Sequence, residues 1–560
     1  MKLARALAML GLSTALAGSP ALAAVEHRQS TPAVSGTPLA VITLQSNAGG
    51  ASSAYLPAAP TKVETGARGS KWVSVRKGSG AHTSGQATAA EKPRVNGGGS
   101  GSRVASKGIA GATGTTGAGA APATSTTTVI ATAASTTTTT TATGTTSQTG
   151  TTALATPAGT SGTAVPPGAV IWKNFDSLMS SGKVTGGDRI FLLSGYHGQL
   201  LVRDQQFAST VTIAPAAGAV AHADSIVVMN SRNVHIQGLK VWPRSSNAGN
   251  GALVRSYSNT NSITFTDLDV RGIATAGNYA TWSITDWNNY QRTGFQVDGS
   301  NIIVARNRVT GIFNGIITLG KNALMEANIV DGFAGDAMRV LGDNSIVRGN
   351  KVQNCHQINA SHTDGLQSWS RGPDGTPGAG TIRNVTIEDN KILEYVGTRS
   401  AITCRLQGIS MFDGVYENFT IRNNLVVSTA YHGIAMAGGL NSQIVNNTVI
   451  HATGQAGKYP WIRLSSTKTG IASRNVTIAN NLVTSNKVTS NPTNNIVETN
   501  NITVTNASTE FTSVASRDFT LRPTAKAIDA GAQLLAPNED IVGAARPKGK
   551  APDAGAYENF

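Results

Sequence analysis

A nine-residue phrase of β-branched and other apolar residues, interrupted at fixed places by asparagine, recurs through the C-terminal part of the chain. Each copy begins with Asn and carries a second Asn at its seventh position, as in "NVTIEDNKI" and "NVTIANNLV". The seventh-position residues are Asn307, Asn328, Asn350, Asn390, Asn424, Asn447 and Asn481. Two earlier copies carry Leu239 and Leu268 at that position. The pattern predicts a strand, a sharp turn and a second strand in each phrase, because Asn tolerates the left-handed backbone of turns.

The spacing of these phrases predicts one long solenoid. Successive seventh-position asparagines are 21 to 40 residues apart, around a basic period near 22. This period is too short for a propeller blade or a helical repeat, and the regular leucines of a leucine-rich repeat are missing. Asparagines one coil apart would stack at the strand spacing of about 4.8 Å and hydrogen-bond along the column. We therefore predict an all-β, single-stranded parallel β-helix.

Composition divides the chain into three predicted segments. Residues 1–23 have the basic start, apolar core and small-residue end of a cleaved secretory signal. Residues 24–165 are rich in Ala, Gly, Ser and Thr and are predicted to be disordered, with a cell-wall or matrix tether as the functional alternative. Residues 166–560 form the predicted β-helix domain. No other apolar run is long enough to span a bilayer. Together with the signal, this predicts a secreted or periplasmic protein. We also expect it to be a monomer.

Two ends of the repetitive region carry a family resemblance. The opening "GGDRIFLLSGYHG" and the ending "DFTLRPTAKAIDAGA" are similar to the first coil and the closing segment of right-handed parallel β-helix proteins of the pectate-lyase-like superfamily. The resemblance covers about residues 166–560. It implies a right-handed solenoid and a polysaccharide partner, but these ends identify architecture and not a reaction.

A second phrase follows the asparagine phrase in successive coils: "FNGIITL", "GDAMRV", "HTDGLQS", "RLQGISM" and "YHGIAM". Aligning its small residue places five polar residues in one column, namely Asn314, Asp336, Asp364, Gln407 and His432. Arg339 and Gln367 form a neighbouring column, and His362 and Arg405 fall in register two residues before the first. For Asn314 and Gln407 a structural hydrogen-bonded ladder is the simpler interpretation. The mixture of His362, Asp364 and Arg405 favours a functional site.

Elimination on a uronate polymer is the preferred reaction for this cluster. Arg405 or Arg339 would neutralise the sugar carboxylate, and His362 or Arg405 would remove the ring proton. Asp336 and Asp364 are candidate ligands for Ca²⁺, or the acid and nucleophile of a hydrolase. The predicted catalytic residues are His362, Asp364, Arg405, Asp336 and His432. The predicted substrate-binding residues are Gln367, Trp369, Arg339, Gln407, Trp282, Trp287 and Tyr431, with capping of the exposed core as the alternative for Trp282 and Trp287.

Three alternatives to a lyase follow from the same residues. "HTDG" and "YHG" are similar to motifs of polygalacturonase-like hydrolases, but no Asp-Asp pair lies between them and no Arg-x-Lys motif follows. A uronan epimerase would use nearly the same groups as a lyase. A non-catalytic surface or matrix protein would need only the binding face. The net charge of +15 is spread along the whole chain, so it suits an acidic polymer but supplies no basic stripe for nucleic acid.

The two cysteines, Cys355 and Cys404, each precede one of the polar phrases. In an oxidising compartment they could pair and clip together the bases of two long loops. Two separate buried thiols are the alternative.

Overall fold

The computed structural model describes residues 41–42, 169–244, 251–457, 459–488 and 494–559. The predicted signal peptide lies outside these residues. So does the segment predicted to be disordered, apart from Val41–Ile42, which forms a short strand paired with Ile171–Trp172 and Arg189–Leu192.

Three long parallel sheets, named A, B and C here, make up the described solenoid. Strands are numbered in chain order. Sheet A contains β1 (Val41–Ile42), β2 (Ile171–Trp172), β3 (Arg189–Leu192), β6 (Gln206–Pro215), β9 (Arg232–Gln237), β12 (Asn261–Thr266), β15 (Ser300–Ala305), β18 (Leu324–Glu326), β21 (Ile346–Arg348), β24 (Thr381–Arg383), β25 (Thr386–Glu388), β28 (Val415–Glu417), β29 (Thr420–Arg422), β32 (Gly439–Val445), β35 (Arg474–Ala479) and β38 (Ile496–Thr499).

The other two sheets hold one strand per coil. Sheet B contains β4 (Gly195–Tyr196), β7 (Ala221–Ala223), β10 (Lys240–Val241), β13 (Asp269–Arg271), β16 (Arg308–Ile312), β19 (Ile329–Phe333), β22 (Lys351–Cys355), β26 (Lys391–Leu393), β30 (Leu425–Ser428), β33 (Thr448–His451), β36 (Leu482–Val483) and β39 (Ile502–Thr503). Sheet C contains β5 (Gln199–Arg203), β8 (Ser225–Met229), β11 (Ala252–Ser256), β14 (Thr293–Val297), β17 (Ile316–Thr318), β20 (Met338–Val340), β23 (Asp364–Trp369), β27 (Gln407–Asp413), β31 (His432–Ala437), β34 (Trp461–Ser465) and β37 (Ser485–Val488).

The chain visits sheets C, A and B in turn and so winds a right-handed parallel β-helix, as predicted. An antiparallel pair, β40 (Phe511–Ser513) and β41 (Asp518–Leu521), follows the last coil. The helices within the described residues include α1 (Phe175–Met179), α2 (Ile284–Tyr290), α3 (Ala507–Glu510) and the 3₁₀ turns Ala276–Thr281 and Gln533–Leu535. In the part of the chain that the structure describes, none of these helices has the length and apolar character of a membrane span.

The interior of the solenoid is filled by stacked apolar side chains, one column from each sheet. In sheet C the inward column runs through Phe295, Ile316, Met338, Leu366 and Ile409, which are all fully buried. Burial of such columns on three sides is the main stabilisation of the fold, because apolar area removed from water contributes about 25 cal/mol per Å².

The predicted asparagine column is a buried ladder. Asn424 donates from its backbone N and from Nδ2 to Oδ1 of Asn447, at 3.0 and 2.9 Å. The same pair of bonds links every rung, and Asn501 adds a rung that the sequence did not suggest. The left-handed residue of each turn is not the rung itself but the one before it, such as Asn423 at φ 53°.

The first asparagine of each phrase forms a second, exposed ladder. These residues also have left-handed backbone, for example Asn384 at φ 58° and Asn418 at φ 58°. Asn418 donates to Asn384 and Asn384 donates to Asn344, each through Nδ2 to Oδ1. The two asparagines of the phrase therefore build parallel ladders at either end of each sheet A strand.

The last four coils bind the C-terminal segment of the chain. There the residue before the rung is itself Asn, which gives the "NN" doublets of the sequence. These side chains donate to backbone carbonyls of the C-terminal segment: Asn423 to Glu539, Asn446 to Asp553, Asn480 to Ala532 and Asn500 to Ala530. A buried ion pair between Arg546 and Glu558 lies within the same segment.

Cys355 and Cys404 are joined by a disulfide, with their Cα atoms 5.4 Å apart. The bond closes a loop that contains β23, across a sequence separation of 49. We predict that Cys404→Ser lowers the free energy of unfolding by about 3 kcal/mol, because the unfolded chain regains the entropy of that loop. Denaturant unfolding with and without reductant measures this. The variant should not respond to reductant, and an unchanged wild-type midpoint in reductant would contradict the prediction.

Candidate functional site

The polar column lies where the strands of sheet C begin, as its spacing predicts. Asp364 and Gln407 are direct partners in the pairing of β23 with β27. The small residue after each polar residue, glycine in four coils and Ala337 in the fifth, allows close approach of neighbouring coils: a Cβ on Gly408 would lie 2.2 Å from the carbonyl oxygen of Gly433. The neighbouring outward column is now longer than predicted and consists of Arg339, Gln367, Ser410, Ala435 and Arg463.

An open cleft of about 660 Å³ lies over this part of sheet C. Ser410 and Ala435 contribute small side chains to the outward column between Gln367 and Arg463. Six predicted site residues line the cleft: His362, Gln367, Trp369, Gln407, Tyr431 and His432. The lining also includes Ser410, Phe412, Asp413, Arg463 and Lys468.

His362 is held from behind by a buried acidic network. Its Nδ1 donates to Oδ2 of Asp364 at 3.2 Å, while its side chain remains 62% exposed. Oδ2 of Asp364 also accepts from Gln367 Nε2 at 2.9 Å, and the backbone N of Asp364 donates to Oδ1 of Asp336 at 3.0 Å. Arg339 Nε donates to Oδ2 of Asp336 at 2.7 Å. The imidazole is therefore oriented, and its Nε2 is left for the cleft.

The network raises the pKa values of two of its members, each for a different reason. The hydrogen bond and the negative charge of Asp364 raise the pKa of His362 above its ordinary value, against the effect of partial burial. Burial raises the pKa of Asp336 to about 6, with a further contribution from Asp364, although Arg339 opposes this. His362 is thus a stronger base than an ordinary histidine, which suits proton abstraction.

Two cations of the cleft, Arg463 on β34 and Lys468 in the following turn, were missed by sequence reasoning. Arg463 makes no ion pair within the described residues, whereas Lys468 binds Asp413 at 2.6 Å. Their coil lacks the second phrase that marks the five coils before it, so the phrase could not reveal them. Extending the strand register by one coil beyond Ala435 would have found Arg463.

Aromatic side chains form part of the cleft wall. Trp369 ends β23, and Tyr431, which is 42% exposed, precedes β31. Exposed or half-exposed aromatic faces can stack on sugar rings. A substrate-binding role for Trp282 and Trp287 is not supported, because they are only 8% and 0% exposed and lie outside the cleft, which agrees with the alternative of core capping. They pack with Tyr279 in a separate apolar cluster, because the insertion that carries them folds back onto the solenoid wall.

Arg405 does not join His362, although the two share a register. Its guanidinium donates to the carbonyl oxygen of Thr429 at 3.0 Å and lies 5.8 Å from the ring centroid of Tyr459. It is absent from the lining of the cleft. Neither the base nor the neutralising role predicted for Arg405 is supported by this position.

The two buried aspartates offer few free oxygen atoms for binding Ca²⁺. Three of their four carboxylate oxygens already accept hydrogen bonds, from Arg339, from backbone, or from His362 and Gln367, and only Oδ1 of Asp364 is unpaired. Calcium takes six to eight oxygen ligands. Among the described residues no cluster of three or more His, Cys, Asp or Glu side chains is arranged to hold a metal.

The remaining members of the column have structural contacts. Asn314 Oδ1 accepts from the backbone N of Asp336 at 3.0 Å, as expected for a ladder. Gln407 is 6% exposed and accepts from Ser410 Oγ at 3.5 Å.

These features define a right-handed parallel β-helix protein with a cationic, aromatic cleft on one sheet. No family model and no curated protein sequence matches the chain. Similar solved structures include pectate lyase Pel9A, with 15% identity over 69% of this chain and 91% of that one and a TM-score of 0.35. The A-module of Azotobacter vinelandii mannuronan C-5 epimerase AlgE4 has 13% identity over 59% and 91%, with a TM-score of 0.32. XylC with xylose has 7% identity over 56% and 72%, with a TM-score of 0.38. These similarities are too distant to bear on the reaction.

Proposed function

We propose that the protein is a polysaccharide lyase that cleaves an acidic, uronate-containing polymer by β-elimination, outside the cytoplasm. The observation that carries this proposal is the composition of the cleft. It combines an oriented histidine, His362, with an unpaired cation, Arg463, and with a single carboxylate, Asp413.

Arg463 is the proposed partner of the sugar carboxylate. Elimination requires that the carboxylate be neutralised, because the negative charge that develops on the uronate must be stabilised in the transition state. A guanidinium suits this task, since it can bind both carboxylate oxygens at once. Lys468 adds positive charge beside it, shared with Asp413.

His362 is the proposed base. Its unprotonated Nε2 would remove the proton on C5, and the C–H electrons would form the double bond between C4 and C5. The bond from C4 to the glycosidic oxygen then breaks, and that oxygen takes a proton from water. Asp364 holds Nδ1–H and stabilises the imidazolium that forms.

Hydrolysis fits the cleft less well. Glycosidases place two carboxyl groups on either side of the scissile bond, about 5 to 9.5 Å apart. The predicted pair, Asp336 and Asp364, is 3% and 0% exposed and lies beneath the cleft. In the described lining Asp413 stands alone and binds Lys468.

The test uses a panel of acidic and neutral polysaccharides, each assayed with and without Ca²⁺. Three quantities are measured in parallel: ultraviolet absorbance, new chain ends and deuterium incorporation from heavy water. A lyase generates ultraviolet absorbance from the new double bond together with new chain ends. Chain ends without absorbance would indicate a hydrolase and overturn the proposal. Deuterium incorporation from heavy water without either signal would indicate an epimerase, and binding without any reaction would indicate a non-catalytic protein.

We predict that Arg463→Ala lowers kcat/KM on the acidic substrate about 10- to 100-fold, because a hydrogen-bonded charge interaction of about 1.5 to 3 kcal/mol is lost. Initial rates on the polymer measure this. The matched control is Arg474→Ala, which removes an exposed arginine from sheet A. Equal rates for the two variants would remove Arg463 from the site.

A further inference from the structure

One nitrogen of His432 is already engaged by a neighbouring side chain. Trp461 Nε1 donates to His432 Nδ1 at 3.0 Å. Because an indole N–H can only donate, Nδ1 is an acceptor, and the neutral imidazole carries its proton on Nε2. Within the described residues Nε2 has no hydrogen-bond partner and is not an enclosed atom. It therefore opens to the cleft that His432 lines.

The ring of His432 is also held in place and kept neutral. Its centroid lies 4.8 Å from that of Phe412 and 4.3 Å from that of Tyr431, and the residue is 6% exposed. Burial lowers its pKa to about 4, and the positive charges of Arg463 and His362 add to the shift. Tyr431, Arg463 and His362 are the titratable groups that face it. At neutral pH His432 is thus an uncharged hydrogen-bond donor.

We propose that His432 is a specificity residue that donates Nε2–H to a carboxylate oxygen of the sugar bound by Arg463, and that Trp461 is the positioning residue that fixes this tautomer. The identity of the ligand, a sugar carboxylate, rests on the proposed function, whereas the tautomer of His432 does not. His432 and Trp461 are partners in the pairing of β31 with β34, the strand that carries Arg463. The two donors therefore come from adjacent coils and converge on one acceptor group.

The first experiment measures the tautomer without substrate. In protein labelled with ¹⁵N-histidine, the His432 resonances, assigned by their loss in His432→Phe, should show Nε2–H and an unprotonated Nδ1. Trp461→Phe keeps the ring but removes the donor, so it should give mixed tautomers and a raised pKa for His432. Trp242→Phe is the matched control, because its Nε1 donates to Tyr196 at the far end of the solenoid. An unchanged His432 spectrum in Trp461→Phe would overturn the positioning role.

The second experiment addresses the ligand, with the acidic polysaccharide panel and its carboxyl-reduced counterparts. Acidic polymers should shift the Nε2–H resonance of His432, and reduced polymers should not. On the polymer that is turned over, His432→Phe and Trp461→Phe should each raise KM about tenfold with little change in kcat, as expected for a lost ground-state hydrogen bond. A shift at His362 without one at His432 would overturn the specificity role. Absence of any binding would overturn the ligand together with the proposed function, but not the tautomer result.

Discussion

His362→Ala is expected to reduce turnover of the acidic polymer about 10²- to 10⁴-fold, the usual contribution of a general base. The fold should be retained, because the side chain is 62% exposed and its one described hydrogen bond goes to Asp364. Initial rates measured by the absorbance of the new double bond test this. His451→Ala is the matched control, since His451 lies on sheet B and outside the cleft.

The pH dependence of the same reaction gives an independent check on His362. The base must be unprotonated, so activity should fall as the pH is lowered through the pKa of His362. Because Asp364 raises that pKa, the acid limb should lie above the ordinary histidine value of about 6.5. Asp364→Asn removes the charge, so it should move the limb to lower pH while lowering kcat. An acid limb that stays in place in this variant would mean that another group is the base.

Asn447→Ala is expected to lower the free energy of unfolding by about 4 to 6 kcal/mol and to leave the chemistry of the folded protein intact. Asn447 is fully buried and bonds both neighbouring rungs, Asn424 and Asn481. Its loss leaves the backbone N–H of Asn424 buried without an acceptor and removes one hydrogen bond each from Asn424 Nδ2 and from the carbonyl oxygen of Ile421. Each such group costs about 1 to 3 kcal/mol. Denaturant unfolding measures the change.

The control for this prediction is the other asparagine of the same phrase. Asn441 is exposed and left-handed at φ 49°, a conformation that glycine adopts freely. Asn441→Gly should therefore cost under about 1 kcal/mol. If the two variants lost the same free energy of unfolding, buried and exposed Asn ladders would contribute equally to stability. That result would contradict the role given to burial.

The solenoid and its ladder could be predicted because the same short sequence pattern specifies them in every coil. Each phrase supplies the same strand, turn and rung, so seven copies report one geometry, and the register of sheet C follows from it. The phrase alone did not show which residue makes the turn: the left-handed position is Asn423, one before the rung Asn424. Asn is favoured both where a side chain hydrogen-bonds beside a turn and where the backbone itself makes the turn. The spacing of the asparagines does not distinguish these two roles.

The candidate site could be predicted only in part, because register gives position but not direction. His362 and Arg405 occupy equivalent places, yet Asp364 draws one side chain to the cleft and the carbonyl of Thr429 draws the other away. Burial is equally hidden, since Asp364 is fully buried although it occupies the same column as residues that line the cleft. Arg463 was missed because its coil carries no copy of the second phrase, although it continues the same outward column.

The asparagine doublets of the last four coils bear on how the molecule unfolds. A solenoid held only by contacts between adjacent coils behaves as a one-dimensional array, in which each end can fray independently. The side chains of Asn423, Asn446, Asn480 and Asn500 instead tie their coils to one continuous C-terminal segment. Loss of any one of these coils would disturb the segment shared by the others. The C-terminal coils should therefore exchange their amide hydrogens as one cooperative unit, while coils nearer the N-terminus open and close independently.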